Sequence, residues 1–368
     1  MYAEDAPGVS RQCRFTAKSA ANSSRLVGAE DPPREAPTFD NACVVKTAFT
    51  ELLGIEHPIA QAGMAGFTSP ELVAAVSNAG ALGILGASDL EATMIQEQVG
   101  AIREKTKRPF GINLLLHGAD DEQMRAVLEA RPSVLSTAWP RDDQNLEAIF
   151  ENAHELGIKV LHMVPTAADA AKAAAAGADV IIAQGTDGGG HIGHVGTVVI
   201  VPMVAREVAP TPVLAAGGIA DGRGLAAMLA LGAAGVLVGT RFLTTTESPI
   251  HETFKKLIVE SDGTDTIVTD LADVMIGGDW PGAVERIARN RIVERWLGRS
   301  SELRRRRDEV VPVMRQARRD GDADEAIVYY GQSAALIREV LPAGQVVTEM
   351  VREAESILRE RLPSLVVD

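Results

Sequence analysis

The chain has 368 residues, 46% hydrophobic and 23% charged, a globular composition that excludes wholesale disorder. A formal net charge of -14 disfavours nucleic-acid binding, and the one basic run, Arg304 to Arg307, has Glu302, Asp308 and Glu309 beside it and reads as a solvated helix face. The only cysteines, Cys13 and Cys43, form no C-x-x-C pair, which excludes a disulfide framework and a cysteine zinc site and points to a reducing cytoplasm; the longest apolar run, Leu225 to Gly239, is shorter than the ~18 residues a membrane span needs.

Residues 1 to about 46 are rich in Ser, Ala, Pro and charge, without sustained periodicity or an apolar signal-peptide core, and are expected to be a disordered arm. From Pro58 a rhythm begins. The apolar run Pro58 to Ala62 precedes a helix opened by Ser69 and Pro70 and stopped near Gly80. Leu82 to Leu85 then leads into a helix predicted over 88–107, opened by Ser88 and Asp89. Further strand-like runs are Phe110 to Leu116, Val134 to Ala138, Lys159 to Val164, Val180 to Ala183, Pro212 to Ala216 and Val236 to Val238. Helical patterns fill the gaps at 121–130, 143–156, 167–176, 201–208 and 223–231, and an eighth helix is expected after Phe242. Strands alternating with helices in this way predict a closed parallel (β/α)₈ TIM barrel over residues 47–245. Residues 246–368 hold short strand-like pieces such as Thr266 to Thr269 and then Glu- and Arg-rich helices. They are expected to form a mainly helical subdomain that returns to the barrel mouth.

Chemistry in this fold sits at the C-terminal ends of the strands. The last two strands run into Ala215-Ala-Gly-Gly-Ile219 and Val238-Gly-Thr-Arg-Phe242. Glycines there let backbone N–H groups approach an anion, which predicts a phosphate site at Gly217, Gly218 and Gly239. The sixth strand runs into Gln184-Gly-Thr-Asp-Gly-Gly-Gly-His-Ile-Gly-His. Such glycine density costs conformational entropy on ordering, and the expected return is close backbone approach to a ligand. His191 in that loop is the candidate reactive residue, whereas His194 reads as a surface histidine. Neither pairs with carboxylates at metal spacing, so no metal site is expected. Gln61-Ala-Gly-Met-Ala-Gly66 is a further glycine loop at the mouth. Asn113, an amide in an apolar strand, could match a heterocycle edge or bond a neighbouring loop. Trp139 either lines a pocket or covers the barrel, and Trp280 and Trp296 read as subdomain core.

Together these segments resemble the nitronate monooxygenase family, whose members are FMN-dependent (β/α)₈ enzymes. The resemblance covers Pro58 to about Phe242, and the piece Tyr329-Tyr-Gly-Gln-Ser-Ala-Ala-Leu-Ile337 is similar to a family element that returns to the flavin. It implies that Ala62, Gly63 and Met64 line the FMN and that Asn113 and Gln184 bond its ring or ribityl chain. It further implies Gly189 against the cofactor, and Gly217, Gly218, Gly239 and Thr240 on the phosphate, with Leu237 and Val238 leading into that site. Gln332 would approach from the C-terminal segment, and His191 would be catalytic. Two departures touch the substrate pocket: Gly63 stands where the family usually has proline, and Thr137-Ala-Trp-Pro140 where it has Phe-Gly-x-Pro. The implied activity is oxidation of alkyl nitronates, or nitroalkanes, by O₂ to a carbonyl compound and nitrite. The Gly-Gly-His-Ile-Gly form also resembles FMN-dependent enoyl-acyl-carrier-protein reductases. An NAD(P)H-dependent reductase of that kind, or a quinone reductase, is therefore the alternative, and a non-enzymatic flavin or phosphate binder is third. The expected partners are a small nitronate or nitroalkane and O₂, with no nucleic acid and no membrane, and a homodimer stays open.

Overall fold

The computed structural model describes residues 45–278, 280 and 282–366; the expected disordered arm, all but its last two residues, lies outside them. Among the described residues, nine strands precede residue 240: β1 (Ile59–Gln61), β2 (Gly83–Gly86), β3 (Phe110–Leu115), β4 (Val134–Ala138), β5 (Lys159–Val164), β6 (Val180–Gln184), β7 (Gly190–Ile192), β8 (Val213–Ala216) and β9 (Gly235–Val238). All but β7 pair in parallel, in the order β1-β9-β8-β6-β5-β4-β3-β2. A bridge between Ala60 and Leu82 closes the ring, with the Gln61 N–H donating to Leu82 O at 2.8 Å. The chain is thus a (β/α)₈ barrel, as its rhythm predicts.

Alternation along each strand sorts the core. Ile84, Leu161, Ile182, Leu214 and Leu237 belong to one buried cluster, while Leu85, Val160, Ile181, Val213 and Val238 pack with the surrounding helices in another. The first cluster also receives Phe49, fully buried, from a short helix Ala48–Leu53 held by a Thr47–Thr50 capping box. No rhythm announces this helix. Burying its phenylalanine is worth about 2 kcal/mol.

The outer helices begin where side chains cap them. Ser69 accepts from the Leu72 N–H, as expected. Ser88 does not cap: its hydroxyl accepts from the Leu115 N–H at 2.8 Å, across to β3, and the helix there starts later, spanning Ala92–Lys105. The helix expected at 143–156 likewise starts late, at Leu146, capped by Asn145. After β9 comes only a single turn, Thr240–Leu243. The expected eighth outer helix is supplied instead by Ala343–Ser356, which packs against both Gly222–Ala230 and Pro70–Asn78. A Cβ on Gly222 would lie 2.5 Å from the Ala354 nitrogen, so these two helices meet backbone to backbone.

Between these two points the chain crosses the mouth. Strands β10 (Thr266–Thr269) and β11 (Val284–Ala288) join β7 in an antiparallel sheet ordered β10-β11-β7, and Ser300–Asp320 forms a long helix. No described helix is long and apolar enough to cross a membrane.

Candidate active site

A cavity of about 400 Å³ opens at the C-terminal ends of the barrel strands. Ala62, Gly63 and Met64 line it after β1, Asn113 from β3, Gln184 from β6, Gly217 and Gly218 after β8, and Leu237, Gly239 and Thr240 from β9 and its turn. Gly189 and His191 reach it from β7 and the loop before it. Two expected residues do not. Val238 is buried on the outer side, because Leu237 faces in and successive side chains alternate. The Gln332 side chain is exposed; its backbone N–H donates to Asp187 O at 3.0 Å, and its neighbours Tyr330 and Ser333 line the cavity instead.

The floor is built for close approach. Gly217 and Gly218 have φ of +98° and +74°, in the left-handed region that favours glycine. A Cβ on Gly63 would overlap the Asn113 Cβ and crowd Ile84, so glycine is required there. A Cβ on Gly189 would sit 2.5 Å from the Tyr330 carbonyl carbon, and the Gly331 N–H donates to Thr240 Oγ1 at 2.9 Å. The C-terminal segment is therefore fastened directly onto the floor. Asn113 Oδ1 accepts from the Ser136 hydroxyl at 2.9 Å, which commits its oxygen and leaves its N–H groups. The buried Gln184 Oε1 has no hydrogen-bond partner among the described residues, an acceptor that burial makes costly unless a ligand satisfies it.

The rim carries the charge. His191 Nε2 lies 3.0 and 3.1 Å from the two Asp273 carboxylate oxygens. Asp273 stands on a short helix, Leu271–Ile276, and its N–H donates to Glu285 Oε1 at 2.8 Å. Glu285 is directly opposite His191 in the β7–β11 register. No carboxylate stands at metal spacing from His191 in the sequence, yet the fold brings these three groups to within 4.8 Å of one another. Burial, and then the negative charge of Asp273, push the Glu285 carboxyl up to about 7, against a smaller opposing pull from His191. Burial and the neighbouring Glu285 hold the Tyr329 hydroxyl well above its ordinary value, so it stays protonated.

Aromatic rings enclose the histidine. Trp280, expected in a subdomain core, instead stacks on it at 4.0 Å, and Trp139 meets it edge-on at 6.5 Å. Trp139 holds φ of +52°, a strained backbone for a bulky residue and one that clusters at functional sites. Trp296 does lie in the helical core, 3% exposed. On the other side of the mouth, Arg318 lies over the Phe67 ring at 4.3 Å. Asp273, Glu285 and Arg318 reach the rim through antiparallel pairing and helix packing far along the chain, and no local spacing announces them; Tyr329 opens the C-terminal piece expected to return to the site.

Fold and site together define a (β/α)₈ barrel with its candidate active site at the C-terminal face of its strands. The chain belongs to the nitronate monooxygenase family, whose model matches residues 46–131 and 117–353, and it is an oxidoreductase. It is 30% identical over 360 residues to a Staphylococcus aureus protein named a probable nitronate monooxygenase, with 85% of this chain and 99% of that one covered. It is also similar to a 5-hydroxy-7a-methyl-1-oxo-octahydro-1H-indene-4-carboxyl-CoA dehydrogenase of Mycobacterium tuberculosis, at 37% identity over 68% of each chain. Among solved structures, FabK of Thermotoga maritima superposes with a TM-score of 0.79 at 36% identity, covering 88% of this chain and all of that one.

Proposed function

We propose that the protein is an FMN-dependent oxidoreductase that oxidises alkyl nitronates, and nitroalkanes, with O₂ to a carbonyl compound and nitrite, working in the cytoplasm. The observation that carries this reading is a histidine on a carboxylate, enclosed by two tryptophans, at the lip of a glycine-floored cavity. The residues fit the cofactor. The unpartnered Gln184 oxygen asks for a donor such as a flavin ring N–H or a ribityl hydroxyl. The left-handed Gly217-Gly218 turn, with Gly239 and Thr240 beside it, offers backbone to a phosphate. Bound there, FMN would supply the electron acceptor.

The chain's own residues do the rest. With a neutral nitroalkane, His191 removes the α proton, and the Asp273 carboxylate stabilises the imidazolium that results. With a preformed nitronate no proton is removed, and the same histidine faces an anion. Trp139 and Trp280 shield the ring from water, which strengthens each of these interactions. Anaerobic mixing tests the reading: bleaching of the yellow holoenzyme by a nitronate is expected, and bleaching by NAD(P)H but not by any nitronate would overturn it.

That second outcome would indicate an NAD(P)H-dependent reductase acting on an acyl thioester. One observation favours it as the alternative: the identity to FabK and to the CoA dehydrogenase exceeds that to the nitronate monooxygenase relative.

A further inference from the structure

We propose that Asp273 and Glu285 act as a carboxyl pair sharing one proton, which holds His191 as the Nε2–H tautomer and leaves Nδ1 as the basic atom offered to substrate. The inference rests on the reading of His191 as the base and names the device that prepares it. A carboxylate only accepts hydrogen bonds. With Nε2 at 3.0 and 3.1 Å from the two Asp273 oxygens, that nitrogen must be the donor. A neutral imidazole has one N–H, so its lone pair lies on Nδ1. Trp280, stacked at 4.0 Å and 21°, resists the ring flip that would exchange the two nitrogens.

The pair has to share a proton because of what surrounds it. The Asp273 and Glu285 residues are 5% and 0% exposed, and they are joined through the Asp273 N–H. No lysine or arginine among the described residues forms an ion pair with either. Arg286, next along β11, donates to Thr186 O and to the Thr266 hydroxyl. Arg318 lies over Phe67. Tyr329 faces Glu285 as a neutral phenol. Two adjacent buried anions without a cation are costly, so one carboxyl stays neutral. Glu285, the more buried and the one that does not touch the imidazole, keeps the proton, in line with its raised affinity for it. Asp273 then remains the anion that orients His191. In the proton transfer itself the substrate Cα–H bond breaks, the electron pair stays on the substrate as the nitronate, and the proton passes to Nδ1. The imidazolium is left paired with Asp273.

The test uses the holoenzyme with ¹⁵N-labelled histidine, with the His191 signals identified by their loss in His191→Asn. Long-range ¹H–¹⁵N correlation reads the tautomer without any substrate. The expected result is an Nε2–H tautomer for His191. In Glu285→Gln this tautomer should persist, while the infrared C=O stretch of a protonated carboxyl, present in the parent, should vanish. In Asp273→Asn the single tautomer should give way to a mixture, and turnover of a neutral nitroalkane should fall about 100-fold or more, much further than turnover of the nitronate. Asp273→Glu should recover part of that loss. An Nδ1–H tautomer in the parent protein, or a parent without a protonated-carboxyl band that Glu285→Gln removes, would overturn the proposal. Because the tautomer is read in the parent, the result stands even where a variant does not fold. A parent that turns over no nitroalkane would sink the functional reading and leave the tautomer measurement intact.

Discussion

Trp280 lies almost flat against the His191 imidazole, its ring centroid 4.0 Å away and its plane 21° from parallel. His117 lies beside Trp280 in turn, its ring centroid 4.5 Å away and its plane tilted by 31°. A base that cannot swing is held near the geometry of reaction. Replacing Trp280 by leucine should therefore leave FMN bound and lower kcat on a neutral nitroalkane about 10-fold or more, with a smaller effect on KM. Steady-state kinetics on the yellow variant decide it, and an unchanged kcat would show that the stack is decorative.

His191→Asn keeps size and polarity but removes the base. Turnover of a neutral nitroalkane should drop by about 10²- to 10⁴-fold, and that of a preformed nitronate much less, with flavin content unchanged. Equal, severe losses on both substrates would assign His191 to anion binding instead.

Gly218 combines a left-handed φ of +74° with a Cβ position only 3.1 Å from the Asp187 Cβ. Gly218→Asp adds backbone strain, fills the space expected for a phosphate oxygen, and places a second negative charge beside Asp187. The purified variant should fold and be colourless. Visible absorbance at the parent's flavin stoichiometry would show that the phosphate lies elsewhere.

His162 sits inside the barrel wall, 2% exposed, with Nδ1 2.8 Å from the Thr137 hydroxyl. Burial pushes its protonation down to about 4 from 6.5, with Asp169 opposing weakly. A lowered histidine pKa means that the unfolded chain takes up the proton first as pH falls. The stability this residue contributes is complete above 6.5 and is lost as pH drops towards about 4, a swing of roughly 3 kcal/mol. Urea unfolding across that window should show a shallower pH slope in His162→Gln than in the parent. Parallel slopes would mean that other groups govern acid unfolding.

The floor of the site was legible in the sequence because each strand delivers its own piece of it. Gly217-Gly218 and Gly239 are the residues at which β8 and β9 end, and a local motif suffices to place them. Val238 could have been set aside by the same logic, since Leu237 facing inward turns its neighbour outward. The rim was not legible. His191 meets Asp273 across 82 residues of chain, through an antiparallel pairing of β7 with β11 that no periodicity in either short strand predicts. Ser88 misled for a related reason. A serine before a helix can cap it, but here a strand amide competes for the hydroxyl and wins. The glycine at position 63, legible only as a departure from the family, is explained by the Asn113 Cβ behind it.

The helix Ala343–Ser356 has a consequence for how the protein is made. It covers the strip of barrel between Gly222–Ala230 and Pro70–Asn78 with Val346, Val347, Met350 and Val351, all nearly fully buried. A nascent chain that has emerged only to residue 342 holds all eight barrel strands and yet leaves that strip bare. The wall is finished by a segment synthesised well after the strands, packing on a helix, Pro70–Asn78, made before most of them. Such a seam joins distant parts of the chain, which slows its formation and leaves apolar surface exposed during synthesis. Late closure of the outer layer, and not assembly of the sheet, is then the step at which aggregation competes with folding.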